Sequence, residues 1–189
     1  RDAAKMDFFG LADHGGSINS VEWNEMKAAA NSYNKNGRFV TFWGFEYTSG
    51  TGHIAVINSN DYLSGTPALN SLVSWLSSRN VVAFFNHPNP NGFNGFEFNR
   101  TNKIVGMELW NKTSGFSYYS RYDKAIKKGW YIGAWGGTDN HSANWGNRTN
   151  YRCAVLAKEL TRESILSAIR ARRFFSTADK NLKLFFTCN

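Results

Sequence analysis

The stretch Trp130–His141, WYIGAWGGTDNH, places an apolar run directly before two glycines, followed by a carboxylate and an imidazole two residues apart. The apolar run predicts a buried strand that ends at the glycines. Side chains at positions i and i+2 of an extended backbone point to the same side. Asp139 and His141 can therefore face one point beyond the strand end, as two ligands of a divalent metal do. The alternative is a glycine turn in which Asp139 makes an Asx-type hydrogen bond and His141 is solvated.

Several further apolar runs show no polar alternation and predict strands at residues 7–12, 38–45, 53–58, 81–85, 104–109 and 152–157. Continuously apolar strands are typical of sheets that are covered on both faces. Segments with helical periodicity lie between most of them, at 17–33, 67–79, 118–128 and from Thr161 onward. This order predicts an α/β fold with a parallel sheet or barrel. The long loop at 89–102 is expected to be a lid or a binding loop because of its length.

Length and charge limit the possible functions. The chain has 189 residues, enough for one domain with a substantial core, and a net charge of +8, which favours an anionic substrate. The basic residues are scattered and form no stripe of the kind that binds nucleic acid, and no apolar run could span a membrane. The composition predicts a soluble bacterial protein, cytoplasmic or secreted. The chain begins and ends within predicted elements, so we expect a fragment truncated at both ends.

The polar residues at the strand ends point to a metal cluster. Sites in parallel α/β folds form at the carboxyl ends of the strands. One histidine in such a place is usually structural. Here, however, three of the four histidines follow predicted strands: His14, His87 and His141. His53 begins a strand seven residues after Glu46, which, like Asp139, lies at a predicted strand end. Nitrogen and oxygen ligands suit Zn, Mn, Fe or Co. The set exceeds the needs of one zinc, so it predicts two or three divalent metals and hydrolysis by a metal-bound hydroxide.

Four motifs resemble those of the PHP (polymerase and histidinol phosphatase) superfamily of metal-dependent phosphoesterases, and they occur in the same order. They are FGLADH at Phe9–His14, GFEYT at Gly44–Thr48 with Gly52-His53 following, NHP at Asn86–Pro88, and GTDNH at Gly137–His141. Each motif is weak alone, and the ordered set is specific. The second motif and the run Arg172–Thr177 resemble most a hydrolase subgroup that includes carbamate-cleaving enzymes.

The resemblance implies a single metallohydrolase domain over residues 1–189, folded as a distorted (β/α)7 TIM-like barrel with two or three metals (Zn, Mn or Fe) at its mouth. The implied metal ligands are His14, Glu46, His53, His87, Asp139 and His141. Glu46 would bridge two metals, and Asp13 would stand beside the ligands. The first strand of such a barrel, which carries a His-x-His motif, is lacking in this chain.

The predicted function is a metal-dependent phosphoesterase in which a metal-bridging hydroxide attacks the substrate. Asp13, His87 and His141 are the candidate catalytic residues, with His87 or His141 as the general acid if it is not bound to metal. Lys112 and Arg148 are candidates for holding a phosphate, and their alternative is a role as solvated loop charges. The expected substrate is a small anionic or ester molecule. Two alternatives stay open: hydrolysis of an ester, amide or carbamate at the same site, and a non-catalytic module that binds anions.

Overall fold

The protein forms one mixed sheet and a small hairpin-like sheet, accompanied by helices, in the computed structural model that describes residues 4–111 and 116–184. The strands are β1 (Phe8–His14), β2 (Val40–Ser49), β3 (Gly52–Ile57), β4 (Val82–Asn86), β5 (Ile104–Asn111), β6 (Phe116–Ser117), β7 (Gly133–Gly136), β8 (Arg152–Val155) and β9 (Phe174–Thr177). The α-helices are α1 (Ser20–Tyr33), α2 (Leu69–Ser77), α3 (Tyr119–Lys127) and α4 (Arg162–Arg170). None of the described helices is long and apolar enough to cross a membrane.

The main sheet has the order β1-β2-β3-β4-β5, and both β6 and β7 pair with β5. Strands β1 and β2, β4 and β5, and β5 and β7 are parallel. Strand β3 is antiparallel to both of its neighbours, and β6 is antiparallel to β5. Strands β1, β2, β4, β5 and β7 therefore run in one direction, and their carboxyl ends lie along the same edge of the sheet.

This pairing shows that the expected (β/α)7 TIM-like barrel is wrong. Such a barrel needs parallel strands, each joined to the next by a helix, whereas β2 and β3 are joined by the two residues Gly50 and Thr51. So short a connection permits only antiparallel pairing. Strands β8 and β9 are not part of the main sheet and form a separate antiparallel pair. The fold is a mixed α/β sheet with helices on its faces.

Both faces of the main sheet are buried, as the continuously apolar strands predict. Phe85 of β4 belongs to the core cluster that includes Leu72 of α2 and Trp23 of α1. The preceding residue, Phe84, belongs to a second cluster with Ile165 of α4 and Phe174 of β9. Because neighbouring residues of a strand point to opposite faces, the two clusters lie on opposite sides of the sheet. The main sheet is therefore packed between two layers of apolar side chains.

The loop at 89–102 is not the lid or binding loop expected from its length. It contains a 3-10 turn at Gly92–Phe96, and the rings of Phe93 and Phe96 are buried in the core. Phe93 lies 4.6 Å from the Phe85 ring, measured between centroids. The apolar side chains of the loop complete the core beneath α3 rather than cover a site.

Candidate metal centre

The histidines converge because of the strand register. His14 of β1 pairs directly with Glu46 of β2. In the hairpin, Thr48 of β2 pairs with His53 of β3, and His53 pairs on its other side with Asn86 of β4. His87 directly follows Asn86, so four potential ligands from neighbouring strands meet at one edge. Strand β3 runs in the opposite direction, which explains why His53 takes part from the beginning of a strand rather than from its end.

Glu46 is the centre of this cluster. Its side chain is 7% exposed, and its Oε2 atom lies 3.2 Å from His14 Nε2 and 3.2 Å from His53 Nδ1. Its other oxygen, Oε1, lies 3.4 Å from His87 Nε2. Ligand atoms of Glu46, His53 and His87 all lie within 4.8 Å of one another. The two carboxylate oxygens thus face different imidazoles.

Two polar neighbours fix the orientation of the Glu46 carboxylate. The Asn86 amide donates a hydrogen bond of 2.6 Å to Oε1, and the Thr48 hydroxyl donates one of 3.2 Å to Oε2. Burial alone would raise the pKa of Glu46, but His53, His87 and Asn86 outweigh it and hold that pKa well below its usual range. Glu46 is therefore ionised at neutral pH, as a metal ligand must be.

His87 connects this cluster to Asp139. His87 Nε2 lies 3.9 Å from Asp139 Oδ2, and both residues have a left-handed backbone, with φ of 26° and 46°. Burial would lower the pKa of His87, but the carboxylates of Glu46, Glu108 and Asp139 raise it overall. An electrostatic field that favours a proton on His87 also favours a bound metal cation at the same place.

Of the remaining predicted site residues, Asp13 and His141 line a cavity beside the cluster, and Arg148 lies in the connection between β7 and β8. His141 is 70% exposed, its ring centroid is 6.1 Å from that of His14, and its Nδ1 lies 3.1 Å from the Asp139 carbonyl oxygen. Asp13 is exposed on β1. The guanidinium of Arg148 is exposed and donates a hydrogen bond of 3.4 Å to Asn140 Oδ1. Lys112 lies outside the described residues.

A cavity of about 1080 Å³ opens beside the cluster. Its polar lining includes His14, Glu46, His87, Asp139 and His141, and its apolar lining includes side chains of the second core cluster such as Phe84 and Ile165. Trp145 also lines the cavity, is 41% exposed, and has its ring 5.6 Å from that of Phe9. The volume is sufficient for a small organic substrate.

The chemistry of the cluster fits a divalent metal. His53 Nδ1 is buried and makes no hydrogen bond to any described residue, although it lies 3.2 Å from Glu46 Oε2. A buried nitrogen in that state is costly unless something else pairs with it. An ionised carboxylate with several imidazole nitrogens around it is the donor set that zinc, manganese and iron take.

The predictions from sequence did not include three supporting residues: Thr48, Asn86 and Glu108. Thr48 and Asn86 bond to Glu46, and Glu108 is buried in β5, where its Oε2 accepts a hydrogen bond of 2.7 Å from the His87 backbone N–H. Burial raises the pKa of Glu108 to about 7, against the opposing effects of His87 and Asn111. A glutamate inside an otherwise apolar strand, VGMEL, was the available signal for Glu108.

Among the solved structures that resemble this chain, one matches 92% of its length, with a TM-score of 0.65 and 15% sequence identity. It is the crystal structure of a two-domain protein from Bacteroides vulgatus that contains a predicted PHP-like metal-dependent phosphoesterase. At this identity the likeness shows a shared fold, and the chain covers 56% of that protein. A comparison with curated proteins gives no match. No comparison supports the narrower subgroup of carbamate-cleaving enzymes.

A family comparison covers the first four strands of the sheet. The sequence model of the family described as "Protein of unknown function (DUF3604)" matches residues 4–104. That range contains His14, Glu46, His53 and His87, whereas Asp139 and His141 lie beyond it. Since the match spans more than half of the 189 residues, the chain belongs to the DUF3604 family.

Proposed function

We propose that this chain is a metal-dependent hydrolase that cleaves phosphoesters and that residues 1–189 form one metallohydrolase domain. The observation that carries the proposal is the buried Glu46 carboxylate, which has His14 and His53 beside one oxygen and His87 beside the other. Three imidazoles converge on one buried carboxylate, and His14, Glu46 and His87 also line the cavity, which ordinary packing does not require. Surface acids that happen to be near each other lack this burial and convergence.

Glu46, His53 and His87 would hold a divalent metal, and His14 and Asp139 would extend the site. Because the two oxygens of Glu46 face different imidazoles, the carboxylate is suited to bridge two metals. Zn, Mn and Fe all accept these ligands. A divalent metal in such a site supplies a nucleophile from water at neutral pH and stabilises negative charge on the substrate.

The protein's own groups would orient the substrate and manage protons. We assign His141 to the leaving group of the substrate because its ring is exposed and lines the cavity. When its Nδ1–H donates to the Asp139 carbonyl oxygen, 3.1 Å away, Nε2 remains available to hold a proton for the departing oxygen. We assign Arg148 to the substrate phosphate, since its guanidinium is held beside Asn140, next to Asp139.

A phosphoester is the substrate class we favour over a carboxylic ester for two reasons. The net charge of +8 attracts anions to the protein. The structure that shares this fold contains a predicted metal-dependent phosphoesterase.

The proposal is tested with the chain of residues 1–189 loaded with Zn²⁺ or Mn²⁺ and assayed against aryl phosphate, aryl phosphodiester and aryl carboxylic ester substrates. We expect phosphoester hydrolysis, and at least about a hundredfold loss when Asp139 and His141 are both replaced by Ala. Arg38→Ala, at an exposed position away from the cluster, is the matched control. If only the carboxylic ester were hydrolysed, the substrate class would be a carboxylic ester rather than a phosphoester. Turnover unchanged in the double variant would contradict the site.

A further inference from the structure

Glu108 links the two strand ends that carry His87 and Asp139. The side chain lies in β5, between β4 and β7, and the residue is 5% exposed. Its Oε2 atom accepts hydrogen bonds from the His87 backbone N–H at 2.7 Å and from the Asn111 amide at 2.8 Å. The pairing of β5 with β7 shifts register between Glu108 and Trp110. Irregularities of this kind are common beside functional sites, where they redirect side chains.

The second oxygen of Glu108 is packed against Gly137, two residues before Asp139. A Cβ atom built on Gly137 would lie 2.1 Å from Glu108 Oε1, far inside van der Waals contact. Only glycine therefore permits the β7 end to approach the carboxylate this closely. One side chain thus touches the backbone of both segments, through a hydrogen bond to one and close packing against the other.

Both of the ligand residues held in this way have backbone conformations that need support. His87 and Asp139 have φ values of 26° and 46°, in the left-handed region that residues with a Cβ rarely adopt. Such conformations persist where surrounding contacts determine them, and they concentrate at functional sites. The backbone N–H of His87 is held by its hydrogen bond of 2.7 Å to Glu108 Oε2.

We propose that Glu108 is a positioning residue of the metal centre, which holds the His87 and Asp139 segments at the distance that lets both side chains face the same metal. The inference rests on the proposed function, since it assumes that these residues bind metal. Glu108 itself is not assigned as a ligand. Outer partners of this kind usually change metal affinity about 10- to 100-fold when they are removed.

The test measures Zn²⁺ affinity by competition with a chromophoric chelator, using the chain of residues 1–189 and variants whose folding is checked by circular dichroism. Glu108→Ala removes the acceptor. Gly137→Ala keeps the glutamate side chain but pushes its carboxylate away from the end of β7. Glu108→Gln keeps an oxygen that can accept both hydrogen bonds. Gly65→Ala is the matched control, because Gly65 is exposed and a Cβ there meets nothing within 4 Å.

We expect Glu108→Ala and Gly137→Ala each to weaken Zn²⁺ binding about 10- to 100-fold, and Gly65→Ala to leave it unchanged. Glu108→Gln should bind within about fivefold of wild type, because the hydrogen bonds rather than the charge fix the geometry. The His87 amide proton resonance should keep its hydrogen-bonded shift in Glu108→Gln and lose it in Gly137→Ala. A role in folding alone would not predict this difference between two folded variants.

Two results would overturn the inference, and they are distinguishable. Wild-type affinity in Glu108→Ala, or in a folded Gly137→Ala, would overturn it while leaving the metal centre intact. A wild-type chain that binds no Zn²⁺ would overturn the proposed function, and the positioning role with it.

Discussion

The amide of Asn86 donates a hydrogen bond of 2.6 Å to Oε1 of Glu46, from the residue directly before His87. This bond fixes the rotation of the carboxylate that faces the three imidazoles. We predict that Asn86→Ala weakens Zn²⁺ binding about 10- to 100-fold, because Glu46 loses its strongest orienting contact. Asn86→Asp should be worse, since it would place a second carboxylate against Glu46.

Competitive chelator titration measures both variants. Asn24→Ala, at an exposed position on α1, is the matched control and should bind as wild type does. Unchanged affinity in Asn86→Ala would show that the histidines alone fix the carboxylate.

Gly44 lies two residues before Glu46, where β2 and β3 approach closely. A Cβ at this position would lie 2.1 Å from the Val56 carbonyl oxygen and 2.7 Å from Ile57 Cδ1. Gly44→Ala must therefore push the two strands apart, and we expect it to lower the free energy of unfolding by about 1–3 kcal/mol. Urea unfolding followed by circular dichroism measures the change. Gly65→Ala is the control, and equal stability of the two variants would argue against the close approach.

Arg162 connects α4 to strand β2 and helix α1. Its guanidinium donates hydrogen bonds to Thr41 O at 2.7 Å, Asn31 Oδ1 at 2.6 Å and Ala30 O at 2.8 Å. We expect Arg162→Ala to lower the free energy of unfolding by about 2–3 kcal/mol, since charged hydrogen bonds are lost from a partly exposed site. Arg162→Lys should recover less than half of that loss, because one ammonium cannot span three acceptors.

The same urea experiment tests Arg162, with the exposed Arg38→Ala as the control. If Arg162→Lys were as stable as wild type, the three-way geometry of the guanidinium would not matter for stability.

Leu72 of α2 is fully buried in the larger core cluster. Leu72→Ala leaves a cavity there, and we predict a loss of about 2–5 kcal/mol in the free energy of unfolding. Leu156→Ala is the matched control, since Leu156 is 49% exposed, and it should change stability by less than about 0.5 kcal/mol. Chemical denaturation of both variants is sufficient, and similar losses in the two would contradict the core assignment.

The sequence predicted most strands and helices because buried strands such as Val82–Asn86 are strongly apolar. It did not predict strand direction. The signal was present at Gly50 and Thr51, since a connection of two residues joins antiparallel strands and excludes a parallel crossover. The prediction of a lid or binding loop at 89–102 rested on length alone, which does not show that Phe93 and Phe96 are buried in the core.

The clustering of these side chains was more predictable than the fold. Histidines and acids at strand ends are visible in a sequence, and the register brings His14, Glu46, His53 and His87 together as their positions suggested. The supporting residues were harder to predict. Asn86 and Thr48 act through single hydrogen bonds that depend on the register, and Glu108 acts across two strands that are not consecutive in the sequence.

The most direct test of the metal centre is elemental analysis of the wild-type chain and of a variant in which His53 and His87 are both replaced by Ala. Each is dialysed against Zn²⁺ and then desalted. We predict about one equivalent of Zn or more per wild-type chain, and about a tenfold lower content in the folded variant. Equal zinc content in the two proteins, or none in the wild type, would contradict the metal centre built around Glu46.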